Sequence, residues 1–162
     1  MSRSMSLELR FIVDTMLGSL ARWLRILGYD SLYDRNYDDW RIIRIASEDR
    51  RIIITKDRGL YITARKKGLD AILIEDENIA EALKNLRRRY GIKLEIDPKN
   101  TRCPICNNLL RRTSSVIDIA GRVPESVAKN YKEFWICDKC GRVYWRGRHW
   151  RSIEKILSQA RS

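Results

Sequence analysis

Four cysteines in two closely spaced pairs constrain the fold of this chain more than any other feature of its sequence. The pattern is Cys103-x-x-Cys106, then thirty residues, then Cys137-x-x-Cys140. A Cys-x-x-Cys turn places two sulfurs on one side of an ion, so two such turns suit tetrahedral zinc. Four sulfurs leave no open coordination position. We therefore predict one structural Zn²⁺ that folds a small zinc ribbon and takes no part in catalysis.

Disulfide bonds and redox chemistry are the two alternatives for these cysteines. Disulfides are disfavoured in a cytosolic chain, although the interiors of hyperthermophiles are an exception. A redox Cys-x-x-Cys normally lies at a helix start beside a strand, and a second pair would be superfluous. The spacing therefore favours zinc.

The region before the cysteines alternates between strand-like and helix-like runs. The predicted strands are 9–13, 31–33, 51–55 and 71–74, and the predicted helices are 17–27, 39–49, 60–67 and 79–90. Trp40, Ile43 and Ala46 are expected on the buried face of the second helix. Strands that alternate with helices pair in parallel, which predicts a three-layer α/β domain.

A turn-rich joint at residues 97–100 (DPKN) marks the predicted boundary between two domains, 1–98 and 99–162. The second domain holds all four cysteines. It also has strand-like runs at 116–119 and 134–136, and an amphipathic helix around 153–157.

The charge of the chain is unevenly distributed. The net charge is +12, and residues 1–98 carry 19 Lys and Arg against 16 Asp and Glu, whereas residues 99–162 carry 14 against 5. This excess predicts a polyanionic partner. The high charged fraction, 33%, and the single glutamine, Gln159, also resemble a thermophile's surface, which could raise the charge without a functional reason.

Neither a membrane span nor a signal peptide is predicted. No run of about 18 or more apolar residues occurs. Residues 1–6 are largely polar, and Arg10 and Asp14 interrupt the first apolar run. These features predict a cytoplasmic protein.

Acidic residues follow two of the predicted strands and begin a predicted helix. Asp14 ends the first strand, Asp57 follows the third strand by two residues, and Asp38 and Asp39 stand at the start of the second helix. Side chains at the carboxyl ends of parallel strands can converge, and clustered carboxylates favour a hard divalent cation. Mg²⁺ or Mn²⁺ there could activate a water against a phosphodiester.

Each of these acids also has a purely structural interpretation. Asp39 could cap its helix, Asp14 could cap the helix after the first strand, and Asp57 could shape the turn before Gly59. The pattern alone leaves both interpretations open.

Three long motifs carry a resemblance to a known family. Residues 14–30 (DTMLGSLARWLRILGYD), 54–60 (ITKDRGL) and 141–149 (GRVYWRGRH) resemble the Mut7-C family of PIN-like ribonucleases, which has a zinc ribbon near its tail. The similarity extends over residues 9–150. It implies a PIN-like fold and endonucleolytic or exonucleolytic RNA cleavage with Mg²⁺ or Mn²⁺.

The resemblance also assigns roles to individual acids. Asp14 matches the first PIN acid, Asp57 matches the acid after the third strand, and the acid at the helix start matches Asp39 better than Asp38. A further acid is usual in this fold. The candidates here are Asp38, Glu75 and Asp76, and the sequence does not choose among them.

Basic and aromatic residues supply two candidate RNA-binding surfaces. The first consists of residues expected beside the acids: Arg22, Arg25, Lys56 and Arg58. The second lies in the ribbon, where exposed rings would stack on bases while arginines meet phosphates: Tyr144, Trp145, Arg146, Arg148 and His149. A solvated helix face is the alternative for the first surface. About half of the ribbon aromatics are expected to form its core.

The sequence therefore predicts a divalent-metal-dependent ribonuclease. Its RNA is expected to be single-stranded, or structured ribosomal or transfer RNA, and its zinc ribbon is expected to aid RNA binding. Two alternatives stay open. One is a nonenzymatic RNA- or ribosome-binding factor with a PIN-like fold, and the other is a protein-interaction module that has lost catalysis.

Overall fold

The structure is a computed structural model that describes residues 8–76 and 78–162 of the chain. The polar segment 1–6, on which the expectation about a signal peptide depends, lies outside the described residues. No helix in the described part of the chain is both long and apolar enough to cross a membrane.

A four-stranded parallel sheet forms the centre of the first domain. Its strands are β1 (Arg10–Val13), β2 (Asp30–Tyr33), β3 (Ile52–Thr55) and β4 (Ala71–Leu73). Their order is β2-β1-β3-β4, and every neighbouring pair is parallel. The α/β prediction is confirmed.

Four helices follow the four strands. They are α1 (Gly18–Ile26), α2 (Asp39–Asp49), α3 (Arg58–Lys66) and α4 (Ile79–Tyr90). Phe11 and Val13 point to the side of the sheet covered by α1 and α4, while Ile12 points to the side covered by α2 and α3. Alternate strand residues thus fill two separate cores. The sheet is the middle of three layers.

The cysteine-containing region is a three-stranded antiparallel sheet with two short helices. Its strands are β5 (Arg111–Thr113), β6 (Phe134–Ile136) and β7 (Val143–Tyr144), and its helices are α5 (Val116–Ile119) and α6 (Glu125–Asn130). The predicted strand at 116–119 is wrong, because this segment is helical. Only Ile119 of α5 reaches the small ribbon core, and Ile117 is 87% exposed, so no sheet face is available to its apolar residues.

The closing helix α7 (Trp150–Arg161) packs on the first domain, and only its first turn contacts the ribbon. Leu157 and Ala160 are buried in the core beneath α1 and α4, and the Arg161 guanidinium donates to the backbone carbonyl of Leu94. The boundary near residue 98 stays a prediction. The structure adds that the chain returns to its first core after the ribbon.

Candidate active site and metal centre

The acids that follow β1 and β3 lie side by side at one edge of the parallel sheet. These two strands are neighbours, with Val13 opposite Ile54. The Asp14 amide continues the ladder by donating to the Ile54 carbonyl at 2.9 Å. The chain passes from β1 to β2 on one side and then crosses to β3 on the other. A crevice opens at such a switch point, outside the carboxyl ends of the strands.

A buried hydroxyl links the two acids. Thr55, fully buried, donates from Oγ1 to Asp14 Oδ2 at 2.6 Å and accepts from the Asp57 amide at 2.9 Å. Asp14 Oδ1 accepts from the Thr15 amide at 2.7 Å. These bonds hold the Asp14 carboxylate, which is only 5% exposed, in one orientation. Sequence reasoning did not select Thr55, although it is the one hydroxyl in a run of isoleucines.

The structural interpretations of Asp14 and Asp57 hold in part. Asp14 caps a short 3₁₀ helix, Thr15–Leu17. Asp57 caps α3, where its Oδ1 accepts from the amides of Gly59 at 2.8 Å and Leu60 at 3.2 Å. Carboxylate oxygens each accept more than one bond, so capping leaves ligand capacity on both residues.

The capping interpretation of Asp39 is wrong, because Asp38 is the N-cap of α2. The Asp38 carboxylate accepts from the Arg41 amide at 2.8 Å. Asp39 is the first helical residue, and within the described residues its exposed carboxylate accepts no hydrogen bond. Only the residue directly before the helix can cap it in this way. Because that residue is Asp38, the Asp39 carboxylate is left available for another role.

The charges of the neighbouring acids act on Asp39. Partial burial, followed by the charges of Asp57, Asp14 and Asp38, raises the pKa of Asp39. No three carboxylates in the described part of the chain come within 4.8 Å of one another. The cluster is therefore open rather than a closed cage. Mg²⁺ suits such spacing, since it commonly keeps several waters and uses only one or two carboxylates.

The other two candidates for a further acid each have a polar partner of their own. Glu75 pairs with Arg58 at 2.9 Å, and Asp76 accepts from the Asn85 side-chain amide at 2.9 Å. Asp38 acts electrostatically on Asp39. The identity of a fourth acid stays a prediction.

The second helix also corrects the prediction for Trp40. Ile42 and Ala46, rather than Trp40, fill the core under α2 and are essentially inaccessible to solvent. The Trp40 side chain is 69% exposed, beside the acids. The spacing of Trp40, Ile43 and Ala46 correctly predicts a helix, but in the first turn of that helix it places the wrong residue on the buried face.

The prediction of Arg25 as an RNA contact is corrected by its burial. Arg25 is 5% exposed, and its guanidinium donates to the carbonyls of Ser31 at 2.8 Å and Pro104 at 2.7 Å. Burial lowers its pKa despite nearby thiols and acids. Arg22, on the same helix, is exposed, as is Arg58 beside Asp57.

The four cysteines converge on one point, as their spacing predicts. Their Sγ atoms all lie within 4.8 Å of one another, and all four are free thiols. The Sγ atoms of Cys103 and Cys140 are 3.9 Å apart. That separation is close to the edge of roughly 3.8 Å for a tetrahedron with Zn–S bonds of about 2.3 Å. The donor set and its spacing fit one zinc ion.

The two cysteine turns have the same backbone geometry. The Asn107 amide donates to the Cys103 carbonyl at 2.8 Å, and the Gly141 amide donates to the Cys137 carbonyl at 2.7 Å. Asn107 and Gly141 both adopt left-handed conformations, with φ of 67° and 80°. Glycine and asparagine tolerate this conformation best, so each turn closes at a suitable residue.

The first cysteine turn docks at the edge of the parallel sheet opposite the acids. Asn107 accepts from the Ser31 amide at 3.0 Å and donates to the Asp30 carboxylate at 2.7 Å. Asp30 and Ser31 begin β2, whereas Asp14 and Asp57 follow the ends of β1 and β3. The length of the strands, about 3.3 Å per residue, thus separates the cysteine cluster from the acids.

The aromatic and arginine segment of the ribbon is only partly exposed. Tyr144 is half-buried, with its hydroxyl 3.2 Å from Cys103 Sγ, and Trp145 packs on the ribbon core. Arg146 lies over the rings of Trp135 and Trp150, at 5.5 and 5.0 Å from their centroids. Among the predicted RNA contacts of this segment, Arg146, Arg148 and His149 are exposed to solvent.

Comparison with family models gives a match over most of the chain. The family model described as the Mut7-C RNAse domain matches residues 9–157, nearly the whole chain. No curated protein and no solved structure matches the chain.

Proposed function

Because the chain belongs to the Mut7-C RNAse domain family, we propose that it hydrolyses RNA phosphodiester bonds at the crevice beside β1 and β3. Membership indicates a ribonuclease-type function, and RNA as the substrate. The observation that carries the proposal is the grouping of Asp14, Asp39 and Asp57 at the carboxyl edge of the sheet. Partial burial and then the charges of Asp57, Asp14 and Asp38 raise the pKa of Asp39, and a bound cation would offset both effects.

Asp14, Asp39 and Asp57 would hold one or two Mg²⁺ or Mn²⁺ ions, with Asp38 as a further acid. When bound, such ions activate water and stabilise the charge that develops on a phosphodiester. Thr55 and the Thr15 amide orient Asp14 for this role. Asp57 is oriented by the amides that it caps. The exposed Asp39 carboxylate accepts no hydrogen bond among the described residues, so its oxygens are available to an ion.

Cationic side chains near the acids would bind the RNA backbone. We assign this role to Arg22, Lys56 and Arg58, and we withdraw it from Arg25. In the ribbon, Tyr144, Trp145, Arg146, Arg148 and His149 would bind a more distant part of the strand, because the ribbon docks at the opposite edge of the sheet. The zinc ion would hold the ribbon together without contacting the reacting phosphate.

Cleavage assays with acid variants test this proposal. Labelled single-stranded RNA is incubated with wild type or Asp39→Asn in Mn²⁺, Mg²⁺ or EDTA. We expect metal-dependent cleavage by wild type and a loss of more than about 100-fold in the variant, since even second-shell changes at metal sites cost 10–100-fold. Glu95→Gln, a matched change of an exposed acid in another part of the fold, should cleave like wild type.

Zinc content and thermal unfolding of each variant show that the fold persists. Equal cleavage by wild type and Asp39→Asn would reject the proposal and indicate a contaminating nuclease. Binding of RNA without cleavage in any metal would support the nonenzymatic RNA-binding factor instead.

A further inference from the structure

Trp40 is a large aromatic side chain that the core does not use. It directly follows Asp39 in α2 and is 69% exposed, while Ile42 and Ala46 fill the space beneath the helix. A single exposed aromatic is ordinary on a protein surface. Its position beside a candidate metal ligand is what calls for an explanation.

A groove of about 510 Å³ between α2 and α3 begins at this indole. Asp39 lies at one end, Ile43 and Leu69 form apolar walls, and Arg44 and Lys67 supply cations. Glu48 is the other acid that lines the groove. The groove is thus continuous with the acid cluster and combines aromatic, apolar and cationic groups.

Arg44 and Trp40 form one unit. The Arg44 guanidinium lies over the indole at 5.3 Å from the ring centroid, a distance at which cation and ring attract each other. The guanidinium occupies one face of the ring. Since the side chain is still largely exposed, the other face is open to a planar ligand.

We propose that Trp40 is a stacking platform for an unpaired RNA base next to the scissile phosphate. The base stacks on the open face of the indole, Arg44 and Lys67 bind phosphates further along the groove, and in the other direction the strand continues to the acids at Asp39. Stacked, paired bases in a duplex do not offer a free face, so the groove selects single-stranded RNA. The inference rests on the proposed function for its substrate class.

Direct binding measurements test this inference without cleavage. Fluorescence anisotropy is recorded without added Mg²⁺ or Mn²⁺, using a labelled unstructured 12-nucleotide RNA and an abasic ribose-phosphate oligomer of equal length. Trp40→Ala should weaken binding of the RNA about tenfold, within the range that stacking of one base accounts for. It should leave the abasic oligomer unaffected. Trp40→Phe should retain most of the affinity.

Ile117→Ala, which shortens an 87% exposed side chain in α5, is the matched control and should bind both oligomers like wild type. Equal loss for the two oligomers would overturn the inference, because the effect would then not depend on a base. No loss for either oligomer would also overturn it and would leave the indole to a protein partner. If Trp40→Ala behaves as expected but wild type cleaves nothing, only the proposed function fails.

Discussion

The two edges of the parallel sheet hold groups of potential metal ligands in contrasting ways. At the amino edge, four thiols lie within 4.8 Å of one another. At the carboxyl edge, the charges of the neighbouring acids help to raise the pKa of Asp39, but the carboxylates do not converge as closely. The thiols belong to two turns that fix their geometry locally, whereas the acids come from three loops. A closed site suits structure, and an open site leaves room for water and substrate.

Removing one thiol should give the largest effect and would sharpen this contrast. Cys137→Ser replaces a fully buried ligand, and structural zinc contributes about 10–16 kcal/mol to the folding of small zinc modules. We expect elemental analysis to show loss of the zinc and limited proteolysis to cut within residues 99–149. A variant that keeps one zinc per chain and resists protease would contradict the structural role of the ion.

The second-largest effect is expected on RNA cleavage, when the Thr55 hydroxyl that links Asp14 and Asp57 is removed. Thr55→Val keeps the shape of the side chain but removes the donor to Asp14 and the acceptor for the Asp57 amide. Cleavage should fall by about 10–100-fold, as for other second-shell changes, while zinc content is unchanged. Thr113→Val, which removes an equivalent pair of side-chain hydrogen bonds in β5 of the ribbon, serves as the control. Full activity in Thr55→Val would show that Asp14 needs no such support.

Arg25→Met tests how much the contacts at the amino edge of the sheet contribute to stability. The substitution leaves the carbonyls of Ser31 and Pro104 without their donor. We expect the free energy of unfolding to fall by about 3 kcal/mol, measured by urea denaturation. Arg22→Met, on the exposed face of the same helix, should change stability by less than about 0.5 kcal/mol but should weaken RNA binding. The opposite pattern would restore Arg25 as an RNA contact.

The smallest effect concerns pH. The charge of Asp38 contributes to the raised pKa of Asp39, so Asp38→Asn should lower that pKa. The ionised form of Asp39, which binds a cation, would then persist to lower pH, and the acidic limb of the pH–rate profile should move in that direction. Asparagine also caps helices, so α2 should be retained. An acidic limb that moves to higher pH would contradict the electrostatic coupling of these acids.

Local signals in the sequence were sufficient for the four strands of the parallel sheet and for the cysteine turns. Three isoleucines in succession predict a strand buried on both faces, and β3 is such a strand. The Cys-x-x-Cys spacing alone predicts the convergence of the four thiols. Asp14 and Asp57 could be placed at one edge because parallel strands share their direction.

Features that depend on distant contacts could not be predicted in this way. The buried Arg25 guanidinium donates a hydrogen bond to the carbonyl of Pro104, which lies 79 residues further along the chain. Val116 and Ile117 are β-branched, but the ribbon provides no face for them, and they form a helix instead. The cap of α2 falls on Asp38 rather than Asp39, a difference of one residue that no spacing rule resolves.

The return of α7 to the first core has a consequence for the order of folding. Leu157 and Ala160 complete a core whose other members precede residue 95, so that core closes only when the chain between α4 and α7 has been brought back on itself. Closing a long flexible segment costs entropy, and a compact ribbon shortens the segment that must be closed. Zinc uptake therefore should accelerate the docking of α7. The availability of the metal would then set the rate at which the α/β domain matures.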